Sequence, residues 1–258
     1  TRAKELGGIK EAEFRNLYLN QRIDASNPFI TKDVWLANSA DPDDDAFQTY
    51  PVYGGLDLSA RGDLTALTLM CEDDDDQIHT RVYAWTPADM VMQHEKSDKA
   101  PYRKWIKDGY IEAVPGKSIN YDWIAYRLGE IFSETPMIQS IAYDRWRIDE
   151  LVHECDEIGL TLPLNEFGQG YQSMSPAIED LTHALANRQI RHGGNPLLTW
   201  CVSNAVAVQD PAGNIKLAKD KSFGRIDPVI STVMAIRALR IDRDHLGISG
   251  GDEGILFV

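Results

Sequence analysis

Apolar positions along the chain change period several times, and each change marks an element. Over 52–58, Val52, Leu56 and Leu58 alternate with Tyr53, Gly55 and Asp57, the two-residue period of a strand. Residues 64–71 and 78–85 carry two more strand patterns. Gly62 lies in the short link before the first of these and an acidic turn at 72–76 precedes the second, so three consecutive antiparallel strands are the simplest arrangement. The period then lengthens. Ile124, Leu128, Ile131 and Phe132 share one face of a helix over 121–133, which Asn120 can cap. Residues 138–143 form a nearly continuous apolar run suited to a sheet centre. A helix over 147–158 follows, with Ile148, Leu151, Val152, Cys155 and Ile158 inward, and then a strand at 161–164. Strand, helix, strand implies a parallel pair. Helices are also predicted over 176–189, 197–204 and 226–241, and a hairpin joins 205–209 to 214–218 through Asp210-Pro211-Ala212-Gly213. Residues 87–118 give no clear pattern. The expected fold is α/β, with a mixed sheet of three antiparallel strands followed by parallel ones, flanked by helices.

The two ends read differently. Residues 10–24 have the period of an amphipathic helix, with Phe14, Leu17, Tyr18 and Ile23 on one side. Residues 25–50 contain Asn27-Pro28 and an acidic cluster and read as a connecting arm. From 243 onward the chain is Gly-rich and reads as a mobile tail. The expected division is therefore an arm over 1–50, one domain over 51–242 and a tail over 243–258. The first residue is Thr1, so a fragment or a processed product is expected.

At 258 residues and 43% hydrophobic content, the chain can bury a sizeable core. It has no apolar run of membrane-spanning length and no signal-peptide pattern, which predicts a soluble, intracellular protein. Cys71, Cys155 and Cys201 are far apart and odd in number, which argues against a disulfide framework and against a Cys-based zinc site. The net charge of −14 is awkward for a protein that binds nucleic acid. The acid is clumped, however: Asp41, Asp43, Asp44 and Asp45 form one cluster, and Glu72 to Asp76 another. Without those nine the balance is −5. Both clusters read as solvated loops.

Three carboxylates stand apart from these clusters. Asp is unfavourable in strands, yet Asp57 lies between Leu56 and Leu58 in the first one. Asp144 ends the apolar strand at 138–143, and ligands gather at the carboxyl ends of parallel strands. Asp227 opens the last helix ahead of Pro228, which on local grounds favours a helix cap. Carboxylates brought together repel unless a cation lies between them, and Mg²⁺ or Mn²⁺ suits an all-oxygen site. Two such ions support phosphodiester hydrolysis without a nucleophilic side chain. Lys216, Lys219, Lys221 and Arg225 precede Asp227, and Arg61, Arg145 and Arg147 flank the other two acids; these seven are candidate contacts for the phosphates of DNA.

Competing motifs fail. Gly116-Lys117-Ser118 lacks the glycine that a P-loop needs at position 111, where Ile111 stands. His153-Glu154 is followed by Glu157 where a zinc-protease motif needs His. Gly168-Gln169-Gly170 lacks the third glycine of a dinucleotide fingerprint.

The strand plan, with acids on the first strand and at the end of the fourth, resembles the RNase H-like fold. Gly54-Gly55-Leu56-Asp57-Leu58-Ser59 with Asp63-Leu64-Thr65-Ala66 resembles the opening of the nuclease domain of tailed-phage large terminase subunits. Ala142-Tyr143-Asp144-Arg145-Trp146 resembles its second acidic motif, and Arg225-Ile226-Asp227 its third. Residues 167–176, His192-Gly193-Gly194-Asn195-Pro196 with Trp200 and Asn204, and Gly213-Asn214 with Lys216 and Lys219 resemble further segments of that family, in the same order. The likeness spans about 52–241, and residues 11–38 resemble the stretch joining the family's ATPase to its nuclease.

That resemblance implies a divalent-metal-dependent DNA endonuclease of a viral packaging motor, cutting concatemeric duplex DNA when packaging starts and ends. It implies that Asp57, Asp144 and Asp227 hold Mg²⁺, with Mn²⁺ able to substitute and two ions in all, and it makes Asp63 a further candidate ligand. It implies double-stranded DNA, the capsid portal, the small terminase subunit and an ATPase domain of the same protein as partners, at the procapsid portal in the host cytoplasm. Two other readings stay open at this point: another RNase H-like nuclease of the junction-resolvase type, and a non-catalytic module that docks on the portal.

Overall fold

A computed structural model describes residues 29–58, 63–145 and 147–246. Two short helices come first, α1 (Lys32–Leu36) and α2 (Ala46–Thr49). Then come β1 (Val52–Asp57), β2 (Thr65–Glu72) and β3 (Ile78–Pro87). Helices α3 (Val91–Asp98) and α4 (Tyr102–Lys107) lead to β4 (Glu112–Val114). Next are α5 (Tyr121–Glu134), β5 (Ile138–Tyr143), α6 (Ile148–Glu157), β6 (Leu164–Glu166), α7 (Tyr171–Ala186) and β7 (Ile190–Arg191). The described residues finish with α8 (Pro196–Asn204), the hairpin β8 (Ala207–Gln209) and β9 (Ile215–Leu217), and α9 (Asp227–Leu246).

The main sheet runs β4-β3-β2-β1-β5-β6, with β7 also paired to β3. Strands β1, β2 and β3 are antiparallel in sequence, and β5 and β6 run parallel to β1. This is the mixed, RNase H-like sheet that the alternation and the strand–helix–strand unit predict. Strand β1 is central, and all six of its residues are buried.

The pleat sends alternate β1 residues into two separate cores. Val52 and Leu56 join Leu67, Leu69 and Ile141 under α5 and α6. Tyr53, on the other face, joins Met70 and Ala142 under α7, α8 and α9. Gly55 lies on that second face, and a Cβ there would stand 2.0 Å from the Ser231 carbonyl oxygen and 2.6 Å from the Ala235 nitrogen. The missing side chain is what lets α9 lie directly on β1. Between the sheet and α7 and α8, α9 is covered on all sides: every residue from Ile226 to Ile236 is buried.

Several boundaries differ from expectation. Residues 87–118 are ordered as α3, α4 and β4. The helices are short and broken by Lys99 in the left-handed region (φ 52°) and by Pro101, so no long period could appear. Strand β6 begins at Leu164 rather than 161, because Pro163 has no N–H to give a ladder; its carbonyl accepts from the Ile141 N–H at 2.8 Å. Helix α7 starts at Tyr171, five residues before Pro176, so the proline lies inside it. Helix α9 continues to Leu246, past the expected 241. Asn120 occupies the cap position of α5 with extended backbone, but its side chain makes no capping bond. The helix expected at 10–24, the turn at Gly62 and the tail beyond 246 lie outside the described residues.

Residues 29–50, part of the stretch read as an arm, pack on both faces. Phe29, Ile30 and Trp35 enter the α7–α9 core, and Phe47 enters the opposite one. Trp35 stacks on His192 at 4.0 Å and donates its indole N–H to Thr199 at 3.0 Å. The Asn38 amide bonds the Leu185 carbonyl at 3.0 Å.

Candidate active site

Asp57 is the last residue of β1 and shares the α9 face of the sheet with Tyr53 and Gly55. Asp227 is the first residue of α9. With Gly55 drawing that helix onto the strand, the two side chains meet at one end of the sheet, each 2% exposed. A short 3-10 turn after β9, Lys219–Lys221, brings a cation between them. Lys219 Nζ donates to Asp57 Oδ2 at 2.7 Å and to Asp227 Oδ1 at 2.9 Å. The other Asp57 oxygen accepts from the Gln169 side-chain amide at 3.1 Å.

The electrostatics follow from burial. Asp227 is pushed up from an ordinary 3.8 to about 7: burial disfavours its charge, Lys219 works against that, and Asp57 and Asp63 add repulsion. Asp57 is also raised by burial, with Lys219 and Gln169 opposing. Burial alone would lower Lys219, but the two carboxylates outweigh it and hold the ammonium firmly charged. Two acids and one lysine leave a surplus negative charge in a dry site unless one acid takes a proton. Asp227 accepts its hydrogen bond from Lys219 as part of this buried ion cluster. The backbone carbonyl of Ile226, and not an Asp227 cap, receives the first α9 bonds from Val229 and Ile230 at 2.8 and 3.0 Å.

Asp144 follows the last residue of β5. Leu56 and Tyr143 are register partners in the parallel β1–β5 pair, so Asp57 and Asp144 are the next step beyond on neighbouring strand ends. Asp144 is half-buried. Among the described residues, no three His, Cys, Asp or Glu side chains are gathered closely enough to hold a metal as they stand. What is assembled is the Asp57–Lys219–Asp227 cluster, with Asp144 at the adjoining strand end.

The other candidates separate into two groups. Asp63 pairs with Arg225 Nη1, and Arg225 Nε also donates to Asp98 Oδ2 at 2.7 Å. Arg225 and Lys219 thus serve the acids inside the site rather than standing on a free surface. Arg145 and Lys221 are exposed, and Arg145 lies 3.6 Å from Glu166. Lys216 sits over the Tyr171 ring at 5.0 Å. Arg147 precedes α6 in the left-handed region, at φ 64°. Arg61 lies outside the described residues.

Two partners were not singled out from the sequence. Gln169 lies in the 167–176 segment, where only the missing third glycine and a family likeness drew notice. Asp98 ends α3, in the stretch that showed no period, so nothing pointed to it.

Residues 7–242 match the family model described as the terminase large subunit, endonuclease domain. The chain is 42% identical over 228 residues to the terminase large subunit of Enterobacteria phage HK97, a match covering 88% of this chain and 44% of that protein. It is 25% identical over 209 residues to protein YmfN of Escherichia coli K12, covering 77% of this chain and 45% of YmfN. The chain thus spans less than half the length of these curated relatives. Among solved structures, the HK97 large terminase superposes with a TM-score of 0.77 at 42% identity, over 88% of this chain and 46% of that one. The large terminase nuclease of thermophilic phage G20c shares the fold, with a TM-score of 0.50 at 13% identity over 77% of this chain and 85% of that one.

Proposed function

Because the chain belongs to the endonuclease-domain family of terminase large subunits, we propose that it is a divalent-metal-dependent endonuclease that cuts duplex DNA for a viral packaging motor. The observation that carries this reading is the pair of buried carboxylates, Asp57 and Asp227, that share one lysine ammonium at 2.7 and 2.9 Å. Two carboxylates this dry need a cation or a shared proton to offset their repulsion. The donors are all oxygen, the chemistry that suits a hard divalent ion.

Asp57, Asp227 and Asp144 would hold that ion or ions, with Asp63 as a further candidate. Bound there, Mg²⁺ or Mn²⁺ supplies the Lewis acidity that phosphodiester hydrolysis needs. The chain's own groups do the rest. Gln169 fixes one oxygen of Asp57. Lys219 bonds both acids and offsets one of their two charges, and Arg225 ties Asp63 and Asp98 together. Arg61, Arg145, Arg147, Lys216 and Lys221 would meet the flanking phosphates, which position DNA without reading its sequence. In the whole protein, the cuts would fall on concatemeric DNA at the start and end of packaging. An ATPase domain of the same protein, the small terminase subunit and the capsid portal would hold the DNA near the site, in the host cytoplasm at the procapsid.

The test is plasmid nicking in Mg²⁺ or Mn²⁺, with and without EDTA. Wild-type chain should nick only with metal. Asp57→Asn and Asp144→Asn should each lose roughly a hundred-fold or more with unchanged circular dichroism. Cleavage that survives EDTA, or an active Asp57→Asn protein, would overturn the reading.

A further inference from the structure

The segment from Lys219 to Asp227 carries a feature that the acid site does not use. Phe223 is 74% exposed, as much as any large apolar side chain among the described residues. It stands four residues from Lys219 and four from Asp227, so its Cα lies within roughly 14 Å of each of theirs. Single exposed apolar residues are ordinary. This one differs because the backbone on both sides of it is fastened and apolar cover lies within reach.

On one side, Ser222 Oγ donates to the Ala218 carbonyl at 2.8 Å and accepts from the Val206 N–H at 3.2 Å. Phe223 itself donates its N–H to the Asn204 carbonyl at 3.2 Å. On the other side, Gly224 is pressed against α8: a Cβ there would stand 2.7 Å from the Asn204 amide nitrogen and 3.2 Å from the Trp200 ring. Arg225 then anchors in the Asp63 and Asp98 carboxylates. Trp200 belongs to an aromatic group with Trp105 and Tyr102, at ring separations of 5.5 and 6.4 Å. A loose loop would fold Phe223 onto that apolar surface. The pinned backbone instead leaves the ring open to solvent, two residues from exposed Lys221 and four from buried Asp227.

An exposed aromatic ring on the segment that carries the proposed site, two residues from exposed Lys221, fits a nucleic-acid base. We infer that Phe223 is a stacking wedge: it inserts at a base step of duplex DNA next to the scissile phosphate and holds the backbone over Asp57 and Asp227. Such insertion unstacks the step and bends the duplex. It reads no sequence, because every base offers a π-face. The inference rests on the nuclease reading above and adds to it a residue that grips the bases rather than the phosphates.

The experiment uses the same chain with a 30-base-pair duplex carrying 2-aminopurine, in EDTA so that nothing is cut, followed by nicking in Mg²⁺. Wild-type protein should raise 2-aminopurine fluorescence as the base unstacks. Phe223→Ala should bind roughly ten-fold more weakly, give no fluorescence rise and keep its salt slope. Phe223→Trp should restore both binding and the signal. Lys221→Ala is the contrast, expected to lower the salt slope while keeping the fluorescence rise of the bound complex. Because the ring is exposed, Phe223→Ala should melt within about 1 °C of wild type. If Phe223→Ala binds, unstacks and nicks as wild type does, the wedge is wrong while the nuclease reading stands. If wild-type protein neither binds nor nicks duplex DNA, both fall.

Discussion

The two ends of the central sheet both carry aspartates, and the contrast between them explains most of this chain's charge. At the carboxyl end of β1, Asp57 and Asp227 are buried and raised by loss of solvent. At the opposite end, the two acidic clusters seen in the sequence face each other across His79. Asp73 accepts from His79 Nε2 at 2.9 Å, and His79 Nδ1 accepts from the Asp43 N–H at 2.8 Å. Asp44 pairs with Arg81, and Asp74 accepts from the Tyr50 hydroxyl at 3.1 Å. Slight burial would raise Asp73, but bonds from His79 and from the Gln77 and Asp75 N–H groups outweigh it and lower it. The same residue type is thus shifted in opposite directions by burial at one end and by local donors at the other. Most far-end acids lie in water and cost the fold little, but Glu72, expected in a solvated loop, ends β2 with its side chain buried against Arg240; those at the near end are kept against their solvation. The net charge of −14 is therefore a poor guide to what DNA would meet at the site, because nine of the acids sit in the far-end loops or lead into them.

The strongest break of this contrast would come from Gly55→Ala. A methyl group 2.0 Å from the Ser231 carbonyl must push α9 off β1. We expect a loss of about 1–3 kcal/mol or more in urea unfolding, and a larger proportional loss of nicking, since Asp227 moves with the helix. Gly129→Ala on α5 is the control. Its Cβ would lie 3.9 Å from its nearest neighbour, Ile158, so it should stabilise by roughly 0.5–1 kcal/mol.

A smaller effect should appear in pH. Asp227 binds its proton more tightly folded than unfolded, so its contribution is fully present below about 4 and is lost as pH rises through about 7. Asp73 has the opposite sign: its contribution is present above the ordinary carboxylate range and is lost as pH falls through its lowered value. In EDTA, melting temperature should decline between pH 5 and 8. Asp227→Asn, which mimics the protonated acid and leaves the Lys219–Asp57 pair, should flatten that decline and melt about 3 °C or more higher at pH 8. Added Mg²⁺ should raise the wild-type melting temperature and leave Asp227→Asn nearly unmoved. A wild-type curve flat from pH 5 to 8 would remove the strain argued for Asp227.

The smallest effect is expected at the other end. Changing Asp74, Asp75 and Asp76 together to Asn should alter stability by no more than about 0.5 kcal/mol. Nicking at 0.1 M salt should change less than about two-fold, because β2 sets these acids roughly 25 Å from the site, more than two Debye lengths away. A large gain in cleavage would mean that the acidic end does shape DNA approach.

How far this was legible depends on range. Strands β1 to β3 and β5 were readable because alternation and unbroken apolar runs are local. Asp57 stood out because a mid-strand carboxylate has no local donor. Asp227 stood out by family likeness and not by its local pattern: Asp before Pro reads as a cap, and the approach of α9 to Gly55 is what buries it. Lys219 and Arg225 read as surface cations because sequence shows charge but not the acids that answer it from positions up to 162 residues away. Pro176 misled in the same way. It suggests a first turn, yet α7 tolerates it in the second, with Met174, Ala177 and Ile178 buried around it.

The placement of Asp227 on the last described element has a consequence for biosynthesis. Asp57, Asp144 and Asp227 lie 87 and 83 residues apart in the chain, and α9 must slot between the sheet and α7 and α8 before Asp227 reaches Asp57. A nascent or truncated chain that ends before α9 can form most of the sheet but cannot hold both acids. Such long-range closure is slow relative to local structure. If the chain cuts DNA as proposed, a version truncated before α9 lacks Asp227 and should not nick a plasmid.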